Sequence, residues 1–253
     1  RIAKISANIE QVEEKVPIHE IKDLKINGTY GEIPLRVYRP NEKENQPAIV
    51  YFHGGGFHTG SIESHDTICR NLAYYSNFTV ISVGYHLAPE YKFPVAVYDA
   101  YESTKWVYEN AESLGIDSSR IGVSGDSAGG NLAIVVTHLA KEKRTFSLAF
   151  QVLLYPLTTA EETNSMRENG YGYMSDLERV QEAMDLYLRG PEDKYNLLFS
   201  PILNTDFSHI PPALIITSKY DSMRDDGAIY TEKLKEHNVP VKFICYDDLI
   251  HGY

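Results

Sequence analysis

The chain has 253 residues, of which 43% are apolar, and this composition supports one large buried core and predicts a single domain spanning residues 1–253. Its 35 acidic side chains outnumber the 24 basic ones and give a formal net charge of −11, which argues against nucleic acid as a partner because binding it requires a cationic face. The sequence contains no run of about 18 apolar residues, so it predicts no membrane span.

Short apolar runs rich in branched and aromatic residues predict strands along most of the chain. These runs are Ile21–Ile26, Leu35–Tyr38, Ala48–Phe52, Thr79–Val83, Ile121–Ser124, Leu148–Leu154, Leu214–Thr217 and Val241–Tyr246. Helical periodicity over Val95–Glu112 and Ala128–Lys141 alternates with the later strands, which predicts a mostly parallel sheet covered on both faces. A turn-rich segment, residues 27–34, joins the first two strands and predicts an antiparallel pair within a sheet of about eight strands.

Two segments outside this alternation predict a helical cap. Residues 160–200 are polar and helix-forming, and the chain begins with an amphipathic segment. We therefore interpret about 1–20 and about 160–200 as the cap. Its aromatic side chains, among them Tyr171, Tyr173 and Tyr187, are expected to narrow a pocket beneath it.

The segment HGGGF, residues 53–57, follows the third predicted strand. Consecutive glycines at a strand end let backbone N–H groups approach a ligand closely, although a flexible surface loop has the same composition. As an oxyanion loop, Gly54, Gly55 and Gly56 would supply N–H groups to the negative oxygen of a tetrahedral intermediate. His53 is expected to shape the loop rather than to act as a base.

The segment GDSAGG, residues 125–130, lies between a predicted strand and a predicted helix and matches the G-x-S-x-G nucleophile elbow. Glycines two residues before and after Ser127 leave no side chain to clash when the serine is held in a strained turn. A serine between glycines is also a common helix cap, so the motif alone leaves a structural role open. As a nucleophile, Ser127 requires an imidazole base, an orienting carboxylate and oxyanion donors that include the Ala128 N–H.

Asp221 is the candidate for the orienting carboxylate. It follows a predicted strand closely, at the sheet edge where parallel strands present their loops to a binding crevice. Asp225, Asp226, Asp247 and Asp248 compete for this role, and a cluster of carboxylates is more often a solvated surface. Asp221 is favoured because it is nearest to the end of the strand.

His251 follows the last predicted strand and is the candidate base. The order Ser127, Asp221, His251 along the chain is that of the α/β-hydrolases and differs from the order in chymotrypsin-like and subtilisin-like enzymes. Agreement of four motifs in this order, each at a predicted strand end, has a much lower chance probability than agreement of one.

Five segments together resemble the hormone-sensitive lipase-like esterases of the α/β-hydrolase superfamily, over nearly the whole chain. They are HGGGF at 53, YHLAPEYKFP at 85, GDSAGGNLA at 125, YDSMRDDG at 220 and HGY at 251. The resemblance implies an α/β-hydrolase fold with a helical cap. It also implies Ser127 as nucleophile, Asp221 as acid and His251 as base, with the oxyanion hole around Gly54, Gly55, Gly56 and Ala128.

The chain departs from this family in two places. Gly84-Tyr85-His86 stands where the family has Asp-Tyr-Arg, which affects an ion pair that supports the oxyanion loop. Asp221-Ser222-Met223 stands where the family has Asp-Pro-Leu, which affects the turn that aims the acid. Neither departure removes a catalytic atom.

The predicted function is hydrolysis of short-chain carboxylic esters through an acyl-enzyme intermediate, with a small-molecule ester as partner and no metal or organic cofactor. Short acyl chains are favoured because no long apolar lid is present in the sequence. One alternative is an amidase or peptidase, which is disfavoured because no appended domain excludes large substrates. The other is a non-catalytic small-molecule-binding module of the same fold, and the presence of His251 argues against it.

Three further expectations concern the cell and the assembly. Cys69 and Cys245 show no metal-site or redox spacing and are expected to be buried thiols, which favours a reducing, cytoplasmic compartment. Because the chain begins with Arg1 and ends directly after His251-Gly252, we expect it to be part of a longer sequence. By analogy with related esterases, the edge strand Val241–Tyr246 is a candidate contact of a homodimer.

Overall fold

A computed structural model describes residues 15–172 and 176–253 and contains one eight-stranded sheet in that part of the chain. The strands are β1 (Glu20–Gly28), β2 (Gly31–Arg39), β3 (Gln46–Phe52), β4 (Thr79–Val83), β5 (Ile116–Asp126), β6 (Gln151–Leu154), β7 (Ala213–Tyr220) and β8 (Val241–Ile250). Their order across the sheet is β1-β2-β4-β3-β5-β6-β7-β8. Strand β2 is antiparallel to β1 and β4, and the other neighbouring pairs are parallel, which confirms the predicted mixed sheet.

Helices cover both faces of the sheet. They are α1 (Asp66–Ser76), α2 (Val95–Glu109), α3 (Ala128–Lys143), α4 (Asn164–Asn169), α5 (Leu177–Tyr187) and α6 (Arg224–Glu236), with 3₁₀ turns at Glu112–Leu114, Pro191–Tyr195 and Pro201–Leu203. Within residues 15–172 and 176–253, none of them combines the length and the apolar character needed to cross a membrane.

Two predicted elements are shorter in the structure than the sequence predicts, whereas most of the others are longer. Helix α2 stops at Glu109 rather than at residue 112, because the chain there tightens into a 3₁₀ turn closed by the left-handed backbone of Gly115. Strand β6 begins at Gln151 rather than at Leu148, because its pairing with β5 starts only where Val123 faces Gln151.

The core follows the two-residue period of the central strands. On β3, Val50 and Phe52 pack with the main cluster that includes α2 and α3, and Tyr51 faces the opposite side beside Cys69 of α1. Burial raises the pKa of the Cys69 thiol to about 12. Cys245 is only partly buried, so the prediction of two buried thiols is right for Cys69 alone.

The fold gathers the candidate residues at one edge of the sheet. Strands β3, β5, β7 and β8 run parallel, so their carboxyl ends meet at the same edge. The segment HGGGF directly follows β3, Ser127 follows β5, Asp221 follows β7 and His251 follows β8. Residues that lie far apart in the sequence are thereby brought together.

Candidate active site

Ser127 occupies a strained turn between β5 and α3. Its backbone has φ +54° and ψ −117°, and its N–H donates to the carbonyl of Leu154 at 2.9 Å. A Cβ on Gly129 would overlap the carbonyl oxygen of Phe52, and one on Gly125 would overlap the backbone of Gly129. The flanking glycines are therefore required by the close approach of α3 to β3 and β5, and the turn projects the serine hydroxyl toward the cavity described below.

His251 bridges Ser127 and Asp221. Its Nε2 lies 3.0 Å from Ser127 Oγ, and its Nδ1 lies 2.8 Å from Asp221 Oδ2. A carboxylate can only accept, so Nδ1 carries the ring proton, and the unprotonated Nε2 faces the serine hydroxyl as an acceptor. The geometry is that of a serine, histidine and carboxylate triad.

The loops that carry Asp221 and His251 are held by neighbouring hydrogen bonds. Asp221 is fully buried, and its Oδ1 accepts the N–H of Met223 at 2.8 Å. Ser218 Oγ donates to the carbonyl of Ile250 at 2.9 Å, directly before His251. From α4, Asn169 Nδ2 donates to the carbonyl of Asp221 at 3.2 Å. Sequence reasoning missed Asn169, whose only signal is its position in the predicted cap.

Two of the four competing carboxylates are engaged elsewhere, and the other two are exposed. Asp225 Oδ2 accepts the N–H of Ser165 at 2.8 Å. Asp226 Oδ1 accepts the N–H of Thr158 at 2.6 Å, and burial raises the pKa of Asp226 to about 7. The other two, Asp247 and Asp248, are exposed on β8. In the described part of the chain, Asp221 is the one carboxylate that bonds to His251.

The glycines of the oxyanion loop are not equivalent. The N–H of Gly54 donates to Asp126 Oδ1 at 2.8 Å and is therefore not available to a substrate. Gly55 and Gly56 have φ of +114° and +60° and line the cavity in front of Ser127. In residues 15–172 and 176–253, the N–H groups of Gly55, Gly56 and Ala128 meet no acceptor. The candidate donors to an oxyanion are therefore the N–H groups of Gly55, Gly56 and Ala128.

The backbone of this loop is braced by the segment that departs from the family pattern. Tyr85 Oη donates to the carbonyl of His53 at 2.7 Å, and the two rings stack with centroids 4.3 Å apart. Burial lowers the pKa of His53 to about 4, so this histidine is neutral. His86 stands at the family's arginine position, and its Nδ1 and N–H contact the buried Asp99 Oδ2 at 2.7 and 2.8 Å.

A cavity of about 430 Å³ opens in front of Ser127. Its lining comes from the oxyanion loop, the elbow, Tyr155, Met223, His251 and one side of α5, where the contributing residues are Arg179, Val180, Glu182 and Ala183. Ala183 lies so close to the oxyanion loop that a Cβ on Gly56 would come within 2.8 Å of its methyl group. Helix α5 therefore closes the cavity on the side of the oxyanion loop.

The predicted role of the cap aromatics is wrong for the two that the structure describes. Tyr187 is 1% exposed, and its ring stacks on Phe57 at 4.1 Å, because the helix turns this face toward the core. Tyr171 is 73% exposed and is absent from the cavity lining. Tyr173 and the amphipathic residues 1–14 lie outside the described residues. The aromatic side chain that does line the cavity is Tyr155, which follows β6.

Residues 15–172 and 176–253 contain no candidate metal site. No group of three or more histidine, cysteine, aspartate or glutamate side chains there converges as metal ligands would.

Comparisons with known proteins show what the chain is similar to. A protein family described by its alpha/beta hydrolase fold matches residues 49–253. An arylesterase from Saccharolobus solfataricus is 38% identical over 99% of this chain and 82% of its own length. A carboxylesterase from Mycobacterium tuberculosis, NlhH, is 39% identical over 88% of this chain and 71% of its own length. The crystallised hyperthermophilic esterase of Pyrobaculum calidifontis is 44% identical, has a TM-score of 0.90 and aligns over 93% of this chain and 78% of its own.

Proposed function

The chain belongs to the hormone-sensitive lipase-like esterases of the α/β-hydrolase fold and is a serine carboxylesterase, and on this premise we propose that Ser127, His251 and Asp221 are its catalytic triad. The observation that carries the assignment is the continuous contact of Asp221, His251 and Ser127, at 2.8 and 3.0 Å, in front of a cavity. The binding-module and peptidase alternatives lose their support, because the relatives are esterases.

In the proposed acylation step, Ser127 Oγ attacks the ester carbonyl carbon while His251 Nε2 takes the hydroxyl proton. The carbonyl π electrons move onto oxygen, and the N–H groups of Gly55, Gly56 and Ala128 donate to that oxyanion. Collapse of the tetrahedral intermediate breaks the bond to the alcohol oxygen, which leaves with the proton from His251. Asp221 stabilises the imidazolium throughout and keeps its ring oriented.

In the proposed deacylation step, water takes the place of the alcohol. His251 removes a proton from the water as it attacks the acyl carbon, the same three N–H groups receive the second oxyanion, and Ser127 regains its proton as the carboxylic acid leaves. Every proton in the two steps passes through one imidazole, and no cofactor takes part in them.

We further propose that short acyl esters are the preferred substrates. The cavity of about 430 Å³ is at the lower end of the usual range for small-molecule sites. Its apolar lining by Val180, Ala183 and Met223 suits an aliphatic acyl group, and the approach of Ala183 to Gly56 limits its length on that side. These aliphatic side chains, and not the cap residues Tyr171 and Tyr187, line the cavity.

A chain-length series of p-nitrophenyl esters, from acetate to dodecanoate, tests the substrate class. We expect kcat/KM to be greatest between acetate and hexanoate and to fall by about tenfold or more at dodecanoate, because a longer acyl chain meets the cavity wall near Ala183. Ser127→Ala measured in parallel gives the background rate that does not depend on the nucleophile. A maximum at decanoate or dodecanoate would contradict the short-chain proposal, and rates equal to the background for all esters would contradict the function.

We also propose a cytoplasmic location and a homodimer. Strand β8 forms one edge of the sheet and its residues are half-buried or exposed, which supports it as a contact between two copies of the chain. The single domain with a two-part cap and the cytoplasmic compartment rest on the sequence.

A further inference from the structure

A further histidine and carboxylate pair, His65 and Asp126, lies behind the oxyanion loop. His65 Nε2 is 3.4 Å from Asp126 Oδ2, which is an ion-pair distance. Asp126 directly precedes Ser127, is 7% exposed and lines the same cavity. Neither side chain has a part in the two steps above.

Asp126 is the anchor of the oxyanion loop. Its Oδ1 accepts the Gly54 N–H at 2.8 Å and the Tyr51 hydroxyl at 2.7 Å, whereas its Oδ2 faces His65. Gly54 immediately precedes the two glycines that we assign as oxyanion donors. The position of Asp126 therefore determines where the N–H groups of Gly55 and Gly56 point.

Both ring nitrogens of His65 face an oxygen atom. Nε2 lies 3.4 Å from Asp126 Oδ2, and because a carboxylate oxygen only accepts, Nε2 carries a proton. Nδ1 lies 2.8 Å from Ser64 Oγ, which is also 3.0 Å from the carbonyl of Ser61. When the Ser64 hydroxyl donates to that carbonyl, it accepts from Nδ1, and the ring is then the imidazolium that pairs with Asp126.

Among the groups packed around Asp126, His65 is the one that can carry a positive charge in the described part of the chain. In residues 15–172 and 176–253, His65 is the one basic side chain within ion-pair distance of Asp126. Burial opposes the charge of His65, but the hydrogen bond and the charge of Asp126 raise its pKa above the ordinary value. The other titratable groups facing the pair stay neutral, because burial raises the pKa of Tyr51, Tyr85, Tyr155 and Cys69 and lowers that of His53. His251 lies beyond Ser127.

An unpaired carboxylate at this position would oppose the reaction. The transition state places a negative charge at Gly55 and Gly56, next to the loop residue that Asp126 holds, and two negative charges at such short range repel strongly in a poorly solvated site. A positive charge on the far side of Asp126 cancels this repulsion while leaving its hydrogen bond to Gly54 intact.

We propose that His65, held as an imidazolium, is a positioning residue of the ester-hydrolysis site that neutralises the Asp126 carboxylate while that carboxylate anchors the oxyanion loop. The inference rests on the proposed function, because it requires an oxyanion to form at Gly55 and Gly56. The pair of His65 and Asp126 lowers the energy of the transition state and does not bind the substrate.

The proposal is tested by a double-mutant cycle of His65→Gln and Asp126→Asn. The glutamine side chain keeps a donor but carries no charge, so we expect kcat of His65→Gln on p-nitrophenyl butyrate to fall by about 10- to 100-fold with KM within about twofold. The asparagine side chain keeps an acceptor for Gly54 and Tyr51 without a charge, so the double variant should recover at least about tenfold in kcat over His65→Gln. His19→Gln, a substitution at an exposed histidine before β1, is the matched control and should keep full activity.

The pH dependence distinguishes this role from a purely structural one. A raised pKa means that the His65 charge is fully present at low pH and is lost as the pH rises through its folded-state pKa. The wild-type kcat should therefore decline on the alkaline side, and the double variant should lack that decline. Near-ultraviolet circular dichroism should be unchanged in both variants, which shows that the fold is kept.

Two results would overturn the proposal. One is a His65→Gln variant with wild-type kcat, and the other is a double variant no more active than His65→Gln. Failure of the proposed function gives a different result, because the wild-type protein and Ser127→Ala would then hydrolyse the ester at the same rate.

Discussion

Replacing Ser127 with alanine is expected to lower kcat on p-nitrophenyl butyrate by at least about 100,000-fold. The hydroxyl lies 3.0 Å from His251 Nε2 on a residue that lines the cavity, and without it no acyl-enzyme can form. The remaining activity should come from water that reacts directly with ester held in the oxyanion hole. Initial rates with purified protein, corrected for spontaneous hydrolysis, measure the loss.

The fold should tolerate this substitution, because alanine has the same backbone demands as serine at the elbow. Ser119→Ala is the matched control, since Ser119 is exposed near the other end of β5 and its hydroxyl hydrogen-bonds to Asp117, far from the cavity lining. The control variant should keep its activity within about twofold. Ser127→Ala with more than a few per cent of the wild-type kcat would contradict the assignment of the nucleophile.

Replacing Asp221 with asparagine is expected to lower kcat by about 10,000-fold while leaving the structure in place. The Met223 N–H fixes the amide orientation, because it needs the oxygen at the Oδ1 position. The asparagine NH₂ group then faces His251 Nδ1 and forces that nitrogen to accept. The ring proton moves to Nε2, which can no longer take the proton of Ser127.

A pH profile and a control variant separate this tautomer effect from a loss of fold. The kcat of Asp221→Asn should rise with pH, because hydroxide replaces the imidazole, whose protonated Nε2 can no longer act as the base. Asp248→Asn removes an exposed carboxylate of β8 and should leave kcat within about twofold. An Asp221→Asn variant with kcat within about tenfold of the wild type would show that another group orients His251.

Motifs at strand ends are predictable from the sequence because each one contains residues that permit a tight turn, such as glycine, beside a residue with reactive chemistry. The glycines around Ser127 and the strand before them identify the elbow without any knowledge of the tertiary structure. The proposed acid and base follow from the order of the strands, since parallel strands present their carboxyl ends at one edge. The same logic predicted the mixed sheet and the antiparallel β1 and β2.

Contacts between distant segments could not be predicted, because they depend on strand register and helix rotation. The sequence left three glycines as equal oxyanion donors, and only the bond between Gly54 and Asp126 separates them. The sequence predicts that Tyr187 narrows a pocket, whereas the rotation of α5 turns its ring onto Phe57. His65 has no signal in the sequence, because only the folded chain brings it beside Asp126, which is 61 residues away.

Covalent labelling tests the central claim most directly. A fluorophosphonate reacts with an activated serine and mimics the tetrahedral intermediate, so mass spectrometry of the digested protein locates the nucleophile. We predict one adduct per chain, on Ser127 of the GDSAGG segment, and its loss when His251 is replaced by alanine. An adduct on another serine, or an unmodified Ser127 in protein that hydrolyses esters, would contradict the account.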